Sequence, residues 1–148
     1  MGRSSRRILG IAGSPGAGKT TYAARVVAEA DVPAVHVPMD GFHLADSALV
    51  ALGLRDRKGA PETFDAWGYA ALLRRLRTAT ETVWAPAFER GLEQPLAAAI
   101  SVGPEVELVV TYQPPAGGLG NIVASGIEGI VRGRIVAALD RMKEELER

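Results

Sequence analysis

"GSPGAGKT" occupies Gly13 to Thr20, preceded by "RRILGIA" and followed by "TYAARVVAEA". Three glycines in eight residues lose much conformational freedom on folding, so their missing side chains must serve a purpose. The preceding run is short, apolar and stops at the loop, as a buried strand does. The following run lacks Gly and Pro, and Tyr22, Val26, Val27 and Ala30 recur at helical spacing. A helix that starts directly after a strand aims its free N–H groups and positive dipole end at the intervening loop. Backbone amides wrap an anion only where side chains do not obstruct them, which accounts for Gly13, Gly16 and Gly18. Lys19 can then reach outer phosphates, and the Thr20 hydroxyl can complete a Mg²⁺ shell. The stretch fits G-x-x-x-x-G-K-[ST] in full, a match with odds on the order of one in a few hundred by chance in a chain this long. The competing reading is a plain glycine turn before a helix.

Outward from the loop, "DVP" breaks the helix and "AVHVPMD" reads as a second strand ending at Asp40. Strand, loop, helix, strand is a βαβ unit and predicts a parallel sheet. An acid at a strand's carboxyl end stands where open α/β sheets bind ligands. Asp40 can take a proton from a substrate hydroxyl, hold Mg²⁺-bound water, or merely cap the following turn. "GFHLADSALVALGL" predicts a short helix starting near Asp46 or Ser47, and "RDRKGAPET" a polar loop. Arg55, Arg57 and Lys58 in that loop suit an anion or a solvated charge run. His43 suits substrate contact or an ordinary loop position, and Arg90 suits an anion site or solvent. "FDAWGYAALLRRLRTA" predicts a helix capped by Asp65, with Tyr69, Leu72, Leu73 and Leu76 as its apolar stripe. "VWAPAFERGLEQP" reads as irregular, Trp67, Trp84 and Phe88 as core or pocket wall, and His36 as a strand residue without chemistry. "VELVVT" reads as a buried strand, giving a sheet of three to four strands.

The chain has 148 residues, enough for one domain with a core of its own, and no cysteine for disulfides or thiolate metal sites. Lys and Arg number 17, as do Asp and Glu. That balance provides no global field for nucleic acid or a membrane surface. The apolar start breaks at Gly10 and Gly13, too early for a signal peptide or a spanning helix. The reading is a cytoplasmic protein that engages neither nucleic acid nor membrane.

"GIAGSPGAGKTT", "VPMDGFHL", "RKGAPETFDAWGYAALLRRLR" and "WAPAFERGLEQPLAAAISVGPEVELVVT" together resemble the P-loop nucleoside/nucleotide kinase family, which includes uridine-kinase-like and bacterial pantothenate-kinase-like enzymes. The resemblance covers about residues 6–111. It implies a P-loop NTPase fold, α/β with three layers (α/β/α) around a short parallel sheet. It also implies ATP and Mg²⁺ as cofactors and a small-molecule hydroxyl as acceptor. Gly13, Ser14, Pro15, Gly16, Ala17, Gly18, Lys19, Thr20 and Thr21 would hold the nucleotide, with Thr20 on the metal. Lys19 and Asp40 would be catalytic, Asp40 as the base. His43, Arg57, Lys58, Phe88 and Arg90 would serve the acceptor.

After Thr111 the pattern changes. The family has a Glu-Gly-Asn-Tyr-like segment there, and Tyr112, Gln113 and Pro114 stand in its place. "YQPPAGGLG" reads as a Pro/Gly linker over 112–120, followed by a long amphipathic helix over 121–148 with Ile127, Val131, Ile135, Leu139 and Met142 on one face. This segment resembles the last strand-to-helix part of START-like polyketide-cyclase domains. The expectation is therefore a truncated kinase-like portion, residues 1–111, joined to a helix that docks on it or pairs two copies as a homodimer. Three functions follow: an ATP-dependent small-molecule kinase, a nucleotide-binding protein without useful turnover for want of a lid, and an interaction module using the helix.

Overall fold

The computed structural model describes residues 6–13 and 16–112. Ser14 and Pro15, the linker from 113 and the helix expected over 121–148, with its docking or pairing, lie outside the described residues. The elements run β1 (Ile8–Ala12), α1 (Lys19–Ala28), β2 (Ala34–Pro38), a 3₁₀ turn (Met39–Phe42), α2 (Asp46–Leu52), two further 3₁₀ turns (Arg55–Arg57 and Pro61–Thr63), α3 (Ala66–Thr78), β3 (Val83–Glu89), β4 (Gln94–Val102) and β5 (Glu107–Tyr112).

The expected parallel sheet is present, with three strands in the order β1-β5-β2. The two strands of the βαβ unit are not neighbours. β5 lies between them, pairing Ile8 with Leu108 and Ala12 with Tyr112 on one side, and Val35 with Leu108 and Pro38 with Thr111 on the other. Side chains alternate across this sheet. Ile8, Val37, Leu108 and Val110 face a core shared with Tyr69, Leu73 and Leu76 of α3. Ile11 and Val109 face the other way, onto Ala23 of α1. The result is helix, sheet, helix, with the larger core on the α3 side. Each fully buried Leu or Val in it contributes about 1.5–3 kcal/mol. The Tyr69 hydroxyl satisfies itself there by donating to the Val37 carbonyl at 3.0 Å.

The stretch read as irregular is a β-hairpin. β3 and β4 pair antiparallel from Val83 opposite Val102 to Glu89 opposite Gln94, with a break in register between Ala85 and Ala87. Pro86 stands at that break, where a missing N–H is tolerated. Val83, Ala85 and Val102 are fully buried in the α3-side core. Trp67 and Trp84, expected as core or pocket wall, are instead 58 % exposed. Trp84 lies between the inward-facing Val83 and Ala85, so strand alternation turns it out. Arg6 ties the lower edge together: its guanidinium donates to the Leu76 carbonyl at the end of α3 and to the Gly103 carbonyl at 2.6 Å. Among the described residues no helix is long and apolar enough to cross a membrane.

Candidate active site

β1 delivers its carboxyl end to the glycine loop. Gly16 and Gly18 adopt φ of 74° and 78°, a left-handed conformation that other L-residues take only with strain. Nothing stands within 4 Å of where their Cβ atoms would project, so the glycines answer a backbone requirement there, not crowding. Gly18 is the N-cap of α1, with no side-chain cap and no acidic residue in the first turn. The first-turn amides of α1 therefore remain for an outside acceptor. Lys19 folds back over the loop and donates from Nζ to the Gly13 carbonyl at 2.9 Å. Thr20 and Thr21 are exposed. Donor set, cradle and hydroxyl fit a phosphate chain with its Mg²⁺. Among the described residues there is no cluster of His, Cys, Asp or Glu that would hold a metal by itself.

Asp40 stands in the 3₁₀ turn directly after β2, half-buried, at the same carboxyl-terminal end of the parallel sheet as the loop. β1 and β2 are each adjacent to β5, so their ends are about 10 Å apart at the ordinary strand spacing. Behind Asp40, Gly41 is seated directly against the hairpin. A Cβ there would lie 2.5 Å from the Pro86 carbonyl oxygen. His36, on β2, meets the Thr111 hydroxyl through Nε2 at 2.8 Å. Burial lowers the pKa of His36, and Asp40 partly counters that.

His43 follows on the other side. The 42–44 segment bonds to 63–65: Leu44 donates to the Thr63 carbonyl and Asp65 to the Phe42 carbonyl, both at 2.8 Å. This puts the His43 ring 3.9 Å from the Phe64 ring centre and 5.0 Å from that of Phe88 on β3. Burial is the main cause holding His43 below the ordinary histidine range, opposed by Asp40 and aided by Lys58. Lys58 lies 5.7 Å from the centre of the Phe88 ring. The structure thus brings together Asp40, His43, Lys58 and Phe88 from the expected set. Arg57 instead reaches out to pair with Glu62, and Arg90 is exposed in the turn between β3 and β4. Phe64, Asp46 and Gln94 were not expected here. Phe64 has one sequence signal, its place just before the Asp65 cap of α3, where an apolar residue commonly packs.

A surface cavity of about 410 Å³ lies elsewhere, between Leu9, Val26 and Val109 and the rim residues Arg7, Arg25 and Glu107. It opens at the amino ends of the strands, away from the loop, and belongs to neither group of site residues.

The model of the phosphoribulokinase/uridine kinase family matches residues 8–78. The chain is 38% identical over 104 residues to YggC, an uncharacterized protein of Escherichia coli, covering 66% of this chain and 42% of that protein. It is 31% identical over 117 residues to a Schizosaccharomyces pombe protein provisionally named a uridine kinase, covering 71% of this chain and 49% of the other. The chain thus spans about half the length of these curated relatives. In structure it is similar to a protein of Silicibacter sp. TM1040 provisionally named a fructose transport system kinase, with TM-score 0.72 and 34% identity, over 84% of this chain and 63% of that one.

Proposed function

We propose a function that proceeds from one premise: the chain belongs to the P-loop kinase family. On that premise it binds ATP with Mg²⁺ at Gly13–Thr20 and transfers the γ-phosphoryl group to a hydroxyl of a small molecule, a nucleoside, pantothenate or a sugar. The observation that carries the reading is that loop and carboxylate both follow the carboxyl ends of parallel strands, with β5 between them. The α1 amides and Lys19 hold the phosphates, and Thr20 would hold the Mg²⁺, which when bound neutralises phosphate charge. Asp40 accepts the proton of the acceptor hydroxyl as that oxygen bonds to the γ-phosphorus. The bond to the β–γ bridging oxygen breaks, and ADP leaves.

A second reading, nucleotide binding without useful turnover, is favoured by Tyr112. It ends β5 beside Ala12, where the family resemblance expects a glutamate. Two variants separate the readings. By calorimetry, Lys19→Ala should weaken ATP binding by about 1.5–3 kcal/mol, the worth of a charge-assisted contact. Equal affinity in both proteins removes the nucleotide assignment. Asp40→Asn should keep ATP affinity and lower transfer to an acceptor panel by about 10²–10⁴-fold. ATP binding with no transfer by the wild-type chain selects the second reading.

A further inference from the structure

Four cations stand in the loops around the aromatic group beside Asp40, and three already have acidic partners. The Lys58 ammonium donates to Asp46 Oδ1 at 2.8 Å and to the Glu93 carbonyl. Arg55 reaches the other Asp46 oxygen at 3.4 Å, and Arg57 pairs with Glu62. Lys58 is the most enclosed of the three, its side chain 22% exposed against 65% for Arg55 and 61% for Arg57. Arg90 has no acidic partner among the described residues and is exposed in the β3–β4 turn, where solvent and salt screen it. Asp46 is itself fixed, because its backbone N–H donates to Gln94 Oε1 at 3.1 Å, tying the start of α2 to β4.

An anionic acceptor entering beside Phe88 would meet the carboxylate of Asp40 and a lysine already engaged by Asp46, an acid that it shares with Arg55. To use Lys58 it would have to displace Asp46 and then face that carboxylate as well, an arrangement in which like charges are driven together. An uncharged acceptor meets no such opposition. The geometry points to an uncharged hydroxyl compound as the acceptor, with Asp46 setting that preference by holding the ammonium of Lys58. This rests on the kinase reading above for the identity of the acceptor site. Lys58 is then a strut between α2, the hairpin turn and Phe88, and Asp46 a positioning residue that fixes specificity without touching the reacting atoms.

The test uses the full chain loaded with Mg²⁺ and a non-hydrolysable ATP analogue, titrated with two uncharged probes, uridine and fructose, and two anionic ones, pantothenate and fructose 6-phosphate. At least one uncharged probe should bind about tenfold or more tighter than either anionic probe. Asp46→Asn should raise the affinity for an anionic probe by about tenfold, the worth of one charge-assisted contact, and leave the uncharged probes within about twofold. Lys58→Gln should leave the anionic probes as weak as in the wild type. Acylation footprinting should find Lys58 protected in the wild type and labelled in Asp46→Asn. An anionic probe that binds as tightly as the uncharged ones, or loses affinity in Lys58→Gln, overturns the inference. So do failure of both uncharged probes and equal labelling of Lys58 in the two proteins. Failure of the ATP analogue to bind would instead remove the kinase reading itself.

Discussion

Gly41 is the residue on which the position of Asp40 turns. Its Cα faces the Pro86 carbonyl so closely that a methyl group would sit 2.5 Å from the oxygen and 2.8 Å from its carbon. Both obstructing atoms are backbone, so no rotamer change relieves the clash. Gly41→Ala should therefore push the 39–42 turn off the hairpin and cost about 1–3 kcal/mol, the usual range for overpacking. Urea unfolding should show that loss. On the proposed function, ATP affinity should remain, because the glycine loop and α1 do not touch the hairpin seat, while any phosphoryl transfer falls because Asp40 moves. Gly68 is a contrasting case. A Cβ there would meet the Asp65 carboxylate at 2.1 Å, but that is a short side chain able to move.

At the scale of elements, the two main helices start in opposite ways. α3 is capped: Asp65 Oδ1 accepts from the Gly68 N–H at 2.8 Å. Asp65→Ala should cost about 1 kcal/mol, read as a lower denaturation midpoint with ATP affinity unchanged. α1 has no such cap, and its amides face the glycine loop. Both starts were legible in the sequence, one as a capping aspartate before an apolar stripe and one as a glycine pattern. β1, β2 and β5 were legible too, as short runs rich in Ile, Leu and Val bounded by breakers. The hairpin was not. β4 carries three alanines in sequence, β3 contains Pro86, and the turn from Arg90 to Glu93 has no Asn-Gly or Asp-Gly pair to mark it. Its alternation was further blurred by Trp84, a large apolar side chain pointing outward. Within the candidate site, the motifs named Asp40, His43, Lys58 and Phe88, which the structure brings together. The roles of Asp46 and Gln94 could not be read, because they depend on partners 12 and 48 residues away.

For the whole molecule, the two histidines make stability depend on pH. Burial leads the causes that lower the pKa of both His36 and His43 in the folded chain. The unfolded chain then takes up protons first as pH falls through the ordinary histidine range, near about 6.5. Their contribution is complete above that range and diminishes below it. Asp46, held down chiefly by its hydrogen bond from Lys58, adds a loss of the same sign only when pH falls further, through the carboxylate range. Denaturation midpoints should accordingly be flat above about pH 7.5 and decline between about pH 7 and 5. His36→Gln should flatten that decline, and an unchanged slope in the variant would assign it elsewhere. The hairpin's seat on Gly41 has a wider consequence. Contact there is main chain against main chain, so it recognises the path of β3 and is indifferent to most of its side chains. Such a joint leaves the outward-facing side chains of the hairpin free to vary, while Val83, Ala85 and Val102 stay bound to the core. Outward residues such as Trp84 can be rewritten without moving the 39–42 turn on which Asp40 stands.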